Sequence, residues 1–105
     1  MKLWIDDVRP APEGYFHCKT VNHAKKIIIG LEGEEEFYNG EGVELIDIDH
    51  DAGEYVSDGG DYIKLLEWLE ETGRNYPIRI HSMNPVGRNN MLRIIRKNGW
   101  KEIKY

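Results

Sequence analysis

Leu45-Ile46-Asp47-Ile48-Asp49-His50-Asp51-Ala52-Gly53 is the stretch whose reading decides the fold. It opens as an apolar run suited to a buried strand and closes on two carboxylates around an imidazole, followed by a glycine. Open parallel sheets bind ligands just beyond the carboxyl ends of their strands, so a buried strand that empties into polar residues marks a candidate site. Two other stretches repeat the pattern. Leu3-Trp4-Ile5 runs into Asp6-Asp7, and Ile78-Arg79-Ile80 runs into His81-Ser82-Met83-Asn84. If the three strands are parallel neighbours, Asp6, Asp7, Asp49, His50, Asp51, His81, Ser82 and Asn84 meet on one rim.

Working outward from that stretch, the remaining elements alternate. Before it, Lys2 to Ile5 reads as a short central strand and residues 7–14, with two prolines and a glycine, as a loop. Tyr15 to Lys19 reads as a second strand. Thr20 caps a helix from Val21 to Leu31 in which Ala24, Ile27, Ile28 and Leu31 recur at helical spacing. Glu32 to Gly42, rich in glutamate and glycine, reads as a solvated surface loop. The third strand spans Val43 to Asp49. After it come a loop over Gly53 to Gly60 and a helix from Tyr62 to Thr72, capped by Asp61 and closed by Gly73. Pro77 opens a fourth strand, Ile78 to His81; Asn84-Pro85 starts a helix that stops at Gly99; Trp100 to Tyr105 supplies a fifth strand. The pattern predicts one α/β domain over residues 1–105, built on a doubly wound parallel sheet of five strands. It lacks the helix that a parallel crossover between the first two strands would ordinarily use.

Bulk properties narrow the function. A chain of 105 residues with 40% hydrophobic and 31% charged content supports one core and argues against disorder. Asp6 interrupts the first apolar run and no long apolar stretch follows, so no signal peptide or membrane partner is expected. Cys18 is the single cysteine, which excludes an internal disulfide and a cysteine-built zinc site. A cytoplasmic location is the expectation. The net charge of −5 hides an asymmetry: residues 1–73 hold 6 basic against 18 acidic side chains, whereas residues 74–105 hold 8 against 1. Carboxylates beside a basic element suit a divalent cation and a phosphate together, and the acidic total argues against bulk binding of double-stranded nucleic acid.

The rim residues carry recognisable chemistry. Asp6, Asp7 and Asp49 could hold a cation through oxygen ligands, since clustered carboxylates repel one another without one; Asp7 and Asp51 could equally cap loops. His50 and His81 suit the base and acid that hydrolysis of a cyclic phosphodiester requires, and Asp51 or Asp49 could fix the tautomer of His50. The helix opening at Asn84 offers amides around Val86 and Gly87 to an anion. Ser82, Asn84 and Asn90 add polar groups there, and Arg88 or Arg9 could neutralise developing charge. Asp47, in mid-strand, reads as structural. His17 and His23 read as surface or packing residues, and Trp4, Trp68 and Trp100 as core or edge.

The acidic pair Asp6-Asp7, Asp49 at the end of the third strand and Ser82 at the end of the fourth resemble the receiver domains of two-component signalling, with Lys104 near the place of their lysine. That resemblance implies a flavodoxin-like strand order, 2-1-3-4-5, and Mg²⁺ at the acidic cluster. The histidines would also suit Zn²⁺, and the same residues are compatible with a metal-free site. The chain resembles more closely the cyclic-phosphate processing receiver domains. The matching blocks are Leu3-Trp4-Ile5-Asp6-Asp7-Val8-Arg9-Pro10, Asp49-His50-Asp51 with Gly53, and His81-Ser82-Met83-Asn84-Pro85-Val86-Gly87 with Asn90-Met91. It departs from ordinary receivers at His50 and Asp51, in lacking the helix after the first strand, and in lacking the final helix. The resemblance implies processing of a small cyclic phosphate or an RNA end. Hydrolysis is the leading expectation. The alternatives are a module that only binds a nucleotide or cyclic nucleotide, and a reduced receiver phosphorylated on Asp49.

Overall fold

The structure, a computed structural model, describes residues 1–33 and 42–104. Four short strands, β1 (Lys2–Ile5), β2 (Tyr15–Cys18), β3 (Leu45–Ile48) and β4 (Ile78–Ile80), form one parallel sheet in the order β2-β1-β3-β4. The helices are α1 (Val21–Glu32), α2 (Ile63–Glu71) and α3 (Pro85–Lys97), with a 3-10 turn at Gly53–Tyr55. Most of the expected loop over residues 32–42 lies outside the described residues. No helix among those described is long and apolar enough to cross a membrane.

Two expectations are corrected here. Among the described residues the fifth strand is reduced to one bridge. Residues 100–104 run beside β4, but only Ile78 is engaged: its N–H donates to the Lys101 carbonyl (2.9 Å) and its carbonyl accepts from Ile103 N–H (2.8 Å), leaving a single parallel bridge at Glu102. β4 is itself three residues long, too short to template more. The sheet is also wound on one face, not two. Alternation along each strand sends Leu3, Ile5, Cys18, Ile46, Ile48, Ile78 and Ile80 to the same side. All of them belong to one core cluster with the buried residues of all three helices. Right-handed crossovers from β2 to β3 and from β3 to β4 run in the same direction across the sheet and place their helices together. The reverse step, from β1 to β2, would put a helix on the other face, and residues 6–14 contain none.

The helix-free face is polar and aromatic. Trp4, Asp47 and Arg79 stand side by side across β1, β3 and β4. Trp4 meets Tyr15 edge-on, with centroids 5.8 Å apart. This face carries the buried charges of the molecule and leads directly into the rim.

Local signals account for the helix ends. Thr20 Oγ1 accepts from the His23 N–H at 2.9 Å, as its capping position predicts. Asp61 does not cap α2. Its carboxylate accepts from Ala52 N–H (3.0 Å), tying the loop after β3 to the start of that helix. Gly73 and Gly99 close α2 and α3 with φ of 68° and 67°, a left-handed turn that a side chain would strain.

Candidate functional site

The register explains why residues distant in sequence meet. Ile5, Ile48 and Ile80 are neighbours in the last paired rows of β1, β3 and β4. One residue further on stand Asp6, Asp49 and His81, in step with one another. Alternation turns their side chains toward the helix-free face, the side of Trp4, Asp47 and Arg79. Each offers a ligand atom, and these atoms lie within 4.8 Å of one another.

His81 is enclosed by partners. Its Nδ1 bonds Asp47 Oδ1 at 2.7 Å and its Nε2 bonds Asp6 Oδ2 at 2.8 Å. Its ring stacks flat on the Trp4 indole, with centroids 3.9 Å apart and planes 2° apart. Asp47 Oδ2 in turn accepts from Arg79 Nε (2.8 Å), and Arg79 Nη2 donates to the Tyr15 hydroxyl (2.8 Å). The chain of bonds therefore runs from the outer strand β2 to the outer strand β4 and back to Asp6. Burial raises the Asp6 carboxyl pKa, but the backbone N–H groups of Arg9 and Val8, with the His81 imidazole, outweigh it and hold the group below its ordinary value. Both ring nitrogens of His81 are thus engaged by carboxylate oxygens.

The other side of the rim is less satisfied. Asp7 sits against Gly53, where a Cβ would collide with its carboxylate. Burial raises its pKa, and the charges of Asp6 and Asp49 raise it further; its own backbone N–H opposes them, and the net shift is upward. His50 is seated on α3: a Cβ on Gly87 would stand 2.8 Å from His50 Nδ1 and closer still to ring carbons. Its Nδ1 bonds Asp51 Oδ1 at 2.7 Å, and its backbone N–H donates to Asp49 Oδ1 at 2.8 Å. A carboxylate at Nδ1 fixes the proton there and turns Nε2 into the free acceptor of the neutral ring. The imidazoles of His50 and His81 thus leave the sheet on opposite sides and share no partner.

The expected phosphate ligands are largely committed elsewhere. Asn84 caps α3 with its side chain, accepting from Gly87 N–H at 3.1 Å, so that amide is not free for an anion. Ser82 Oγ accepts from Asn84 N–H at 3.1 Å. Arg88 Nη1 donates to the Ile80 carbonyl (2.8 Å) and Arg9 Nη1 to the His81 carbonyl (3.3 Å), which brings both guanidinium groups to the end of β4. Asn90 lies half-buried in the second turn of α3. Lys104 is exposed beyond the bridge at Glu102. His17, read as a packing residue, bonds the Asp6 carbonyl through Nε2 at 2.8 Å.

Sequence reasoning did not connect Asp47, Arg79, Trp4 and Tyr15 with the rim. The available signal was a charge in the middle of each of two apolar strands, which becomes informative once both strands point those charges to one face. A cleft of about 340 Å³, lined in part by Met1, Lys2, Tyr15 and Glu44, lies at the amino ends of the strands, away from the rim.

The donor set suits a hard cation. Asp6 and Asp49 each offer a carboxylate oxygen in one small cluster, and the Asp7 carboxyl feels the charge of both, which adds to burial in raising its pKa. His81 suits a metal less well, because binding through Nε2 would cost its bond to Asp6.

A single parallel sheet with acidic side chains past β1 and β3 and a polar β4 end defines the class: a receiver-like α/β domain. Residues 1–97 match the model of the cyclic-phosphate processing Receiver domain, and the chain belongs to that family. Comparison with curated proteins and with solved structures gives no match.

Proposed function

We propose that the rim hydrolyses a cyclic phosphodiester of the nucleoside 2′,3′-cyclic phosphate type, with His50 as the general base. The observation that carries this reading is the state of His50: Nδ1 is held by Asp51, while Nε2 has no partner among the described residues and the ring sits beside the acidic cluster. That is the arrangement in which a histidine takes a proton from water at neutral pH. Water oxygen bonds to phosphorus as Nε2 takes its proton; the ring P–O bond breaks, and the departing oxygen takes a proton from solvent. Asp6, Asp7 and Asp49 would hold Mg²⁺, which supplies charge neutralisation at the phosphoryl oxygens. Arg9 and Arg88, at the end of β4, would face the same anion.

His81 enters this mechanism as a positioning residue. With both nitrogens engaged it has none to offer a reacting atom, and its work is to hold Asp6 ionised and in place. In this reading His50 alone is the reacting histidine, and His81 supports the site.

The test is turnover of a nucleoside 2′,3′-cyclic monophosphate, followed by chromatography with and without added Mg²⁺. Turnover by the native chain that is lost in His50→Ala is the expected result. A ligand-dependent rise in melting temperature with the cyclic phosphate recovered intact would instead make the rim a binding module.

A further inference from the structure

We infer that Gly87 is a positioning residue, and that its missing side chain is the seat of the His50 imidazole. The inference rests on the assignment of His50 as the base. Gly87 is not needed for backbone conformation: it lies in the first turn of α3 and has no left-handed φ. Its N–H is taken by the Asn84 cap, as any residue's would be. What only glycine supplies is space. A Cβ there would fall within contact distance of Cγ, Cδ2 and Nδ1 of His50.

His50 cannot yield by a shift of its main chain. Its N–H is bonded to Asp49 Oδ1 and its carbonyl accepts from Tyr62 N–H at 3.0 Å. Tyr62 is fully buried, with its hydroxyl bonded to the Lys19 carbonyl at 2.7 Å. The clash involves Cγ, the root of the ring, and not only its tip. The ring must therefore rotate, and rotation breaks the bond from Nδ1 to Asp51. Glycine within a helix is unfavourable relative to alanine, so the sequence keeps a weaker helix former where a better one would displace the imidazole.

This gives stability and activity opposite signs, which a purely structural glycine would not do. Four proteins test it: the native chain, Gly87→Ala, His50→Ala and the double variant. Gly87→Ala is expected to lower kcat on the cyclic nucleotide to the level of His50→Ala, at least tenfold. The double variant is expected to be no slower than His50→Ala, and to melt higher than it once the obstructing ring is gone. The His50 ring proton resonances of Gly87→Ala should move while those of His81 stay. Native turnover in Gly87→Ala, with unmoved His50 resonances, would overturn the inference. If the native chain turns over no cyclic phosphate, the functional reading fails, and the His50 resonances alone decide whether Gly87 seats the ring.

Discussion

The two sides of the rim are built from the same residue types and end in opposite states. On the helix-free face, Asp6, Asp47, His81 and Arg79 are buried or nearly so, and each ring nitrogen of His81 is matched to a carboxylate. On the helix side, Asp7 is left among like charges and His50 keeps one nitrogen open. Around His81 two carboxylates engage both ring nitrogens and make a closed support. At His50 one carboxylate engages one nitrogen. The two differ at Nε2, which Asp6 covers in His81 and which has no partner among the described residues in His50.

That contrast can be broken by substitution. The largest effect expected is on turnover: His50→Ala should lose about 10²–10⁴-fold in kcat while its denaturant midpoint changes little. His81→Ala should do the reverse in kind. It leaves two buried carboxylates facing a void and should cost about 3–5 kcal/mol of stability by urea unfolding. A stable His81→Ala protein would sink the scaffold assignment. Next in size is the cation: at about 100 times its dissociation constant Mg²⁺ should add about 2.7 kcal/mol, seen as a higher melting temperature. Asp7→Asn should reduce that gain.

The smallest expected effect concerns pH and has two signs. The lowered Asp6 pKa adds stability above the ordinary value of 3.8, and that part is lost as pH falls through the folded-state value below it. The raised Asp7 pKa works oppositely: as pH falls from neutrality toward 3.8 the folded state takes up a proton first and gains stability. Asp7→Asn should therefore melt slightly higher than the native chain at pH 7 without Mg²⁺, by less than about 1 kcal/mol for a partly solvated charge. A lower melting temperature for that variant would show that Asp7 is compensated after all.

Much of this was legible in residue patterns. Three apolar runs ending in Asp6, Asp49 and His81 located the strands and the rim, because a parallel sheet puts the polar residue after each run at the same end. The cap at Thr20, the stop at Gly73 and the helix start at Asn84-Pro85 follow from residue-specific backbone preferences. Trp100 to Tyr105 looked like a strand because its residues suit one, yet among the described residues only Glu102 forms a bridge. Strand formation needs a partner edge, and that depends on another segment's length.

Sequence by itself determined the α/β class and the three apolar runs that end in Asp6, Asp49 and His81, since each rests on local pattern. Tertiary structure alone decided that the helices share one face, that Asp47 links Arg79 to His81 on the other, and that the His50 ring lies where a Cβ at Gly87 would stand. These are contacts between segments far apart in the chain. Hydrogen-bond pairing and steric fit between them are set by where the backbone places each side chain, which no single stretch of sequence encodes.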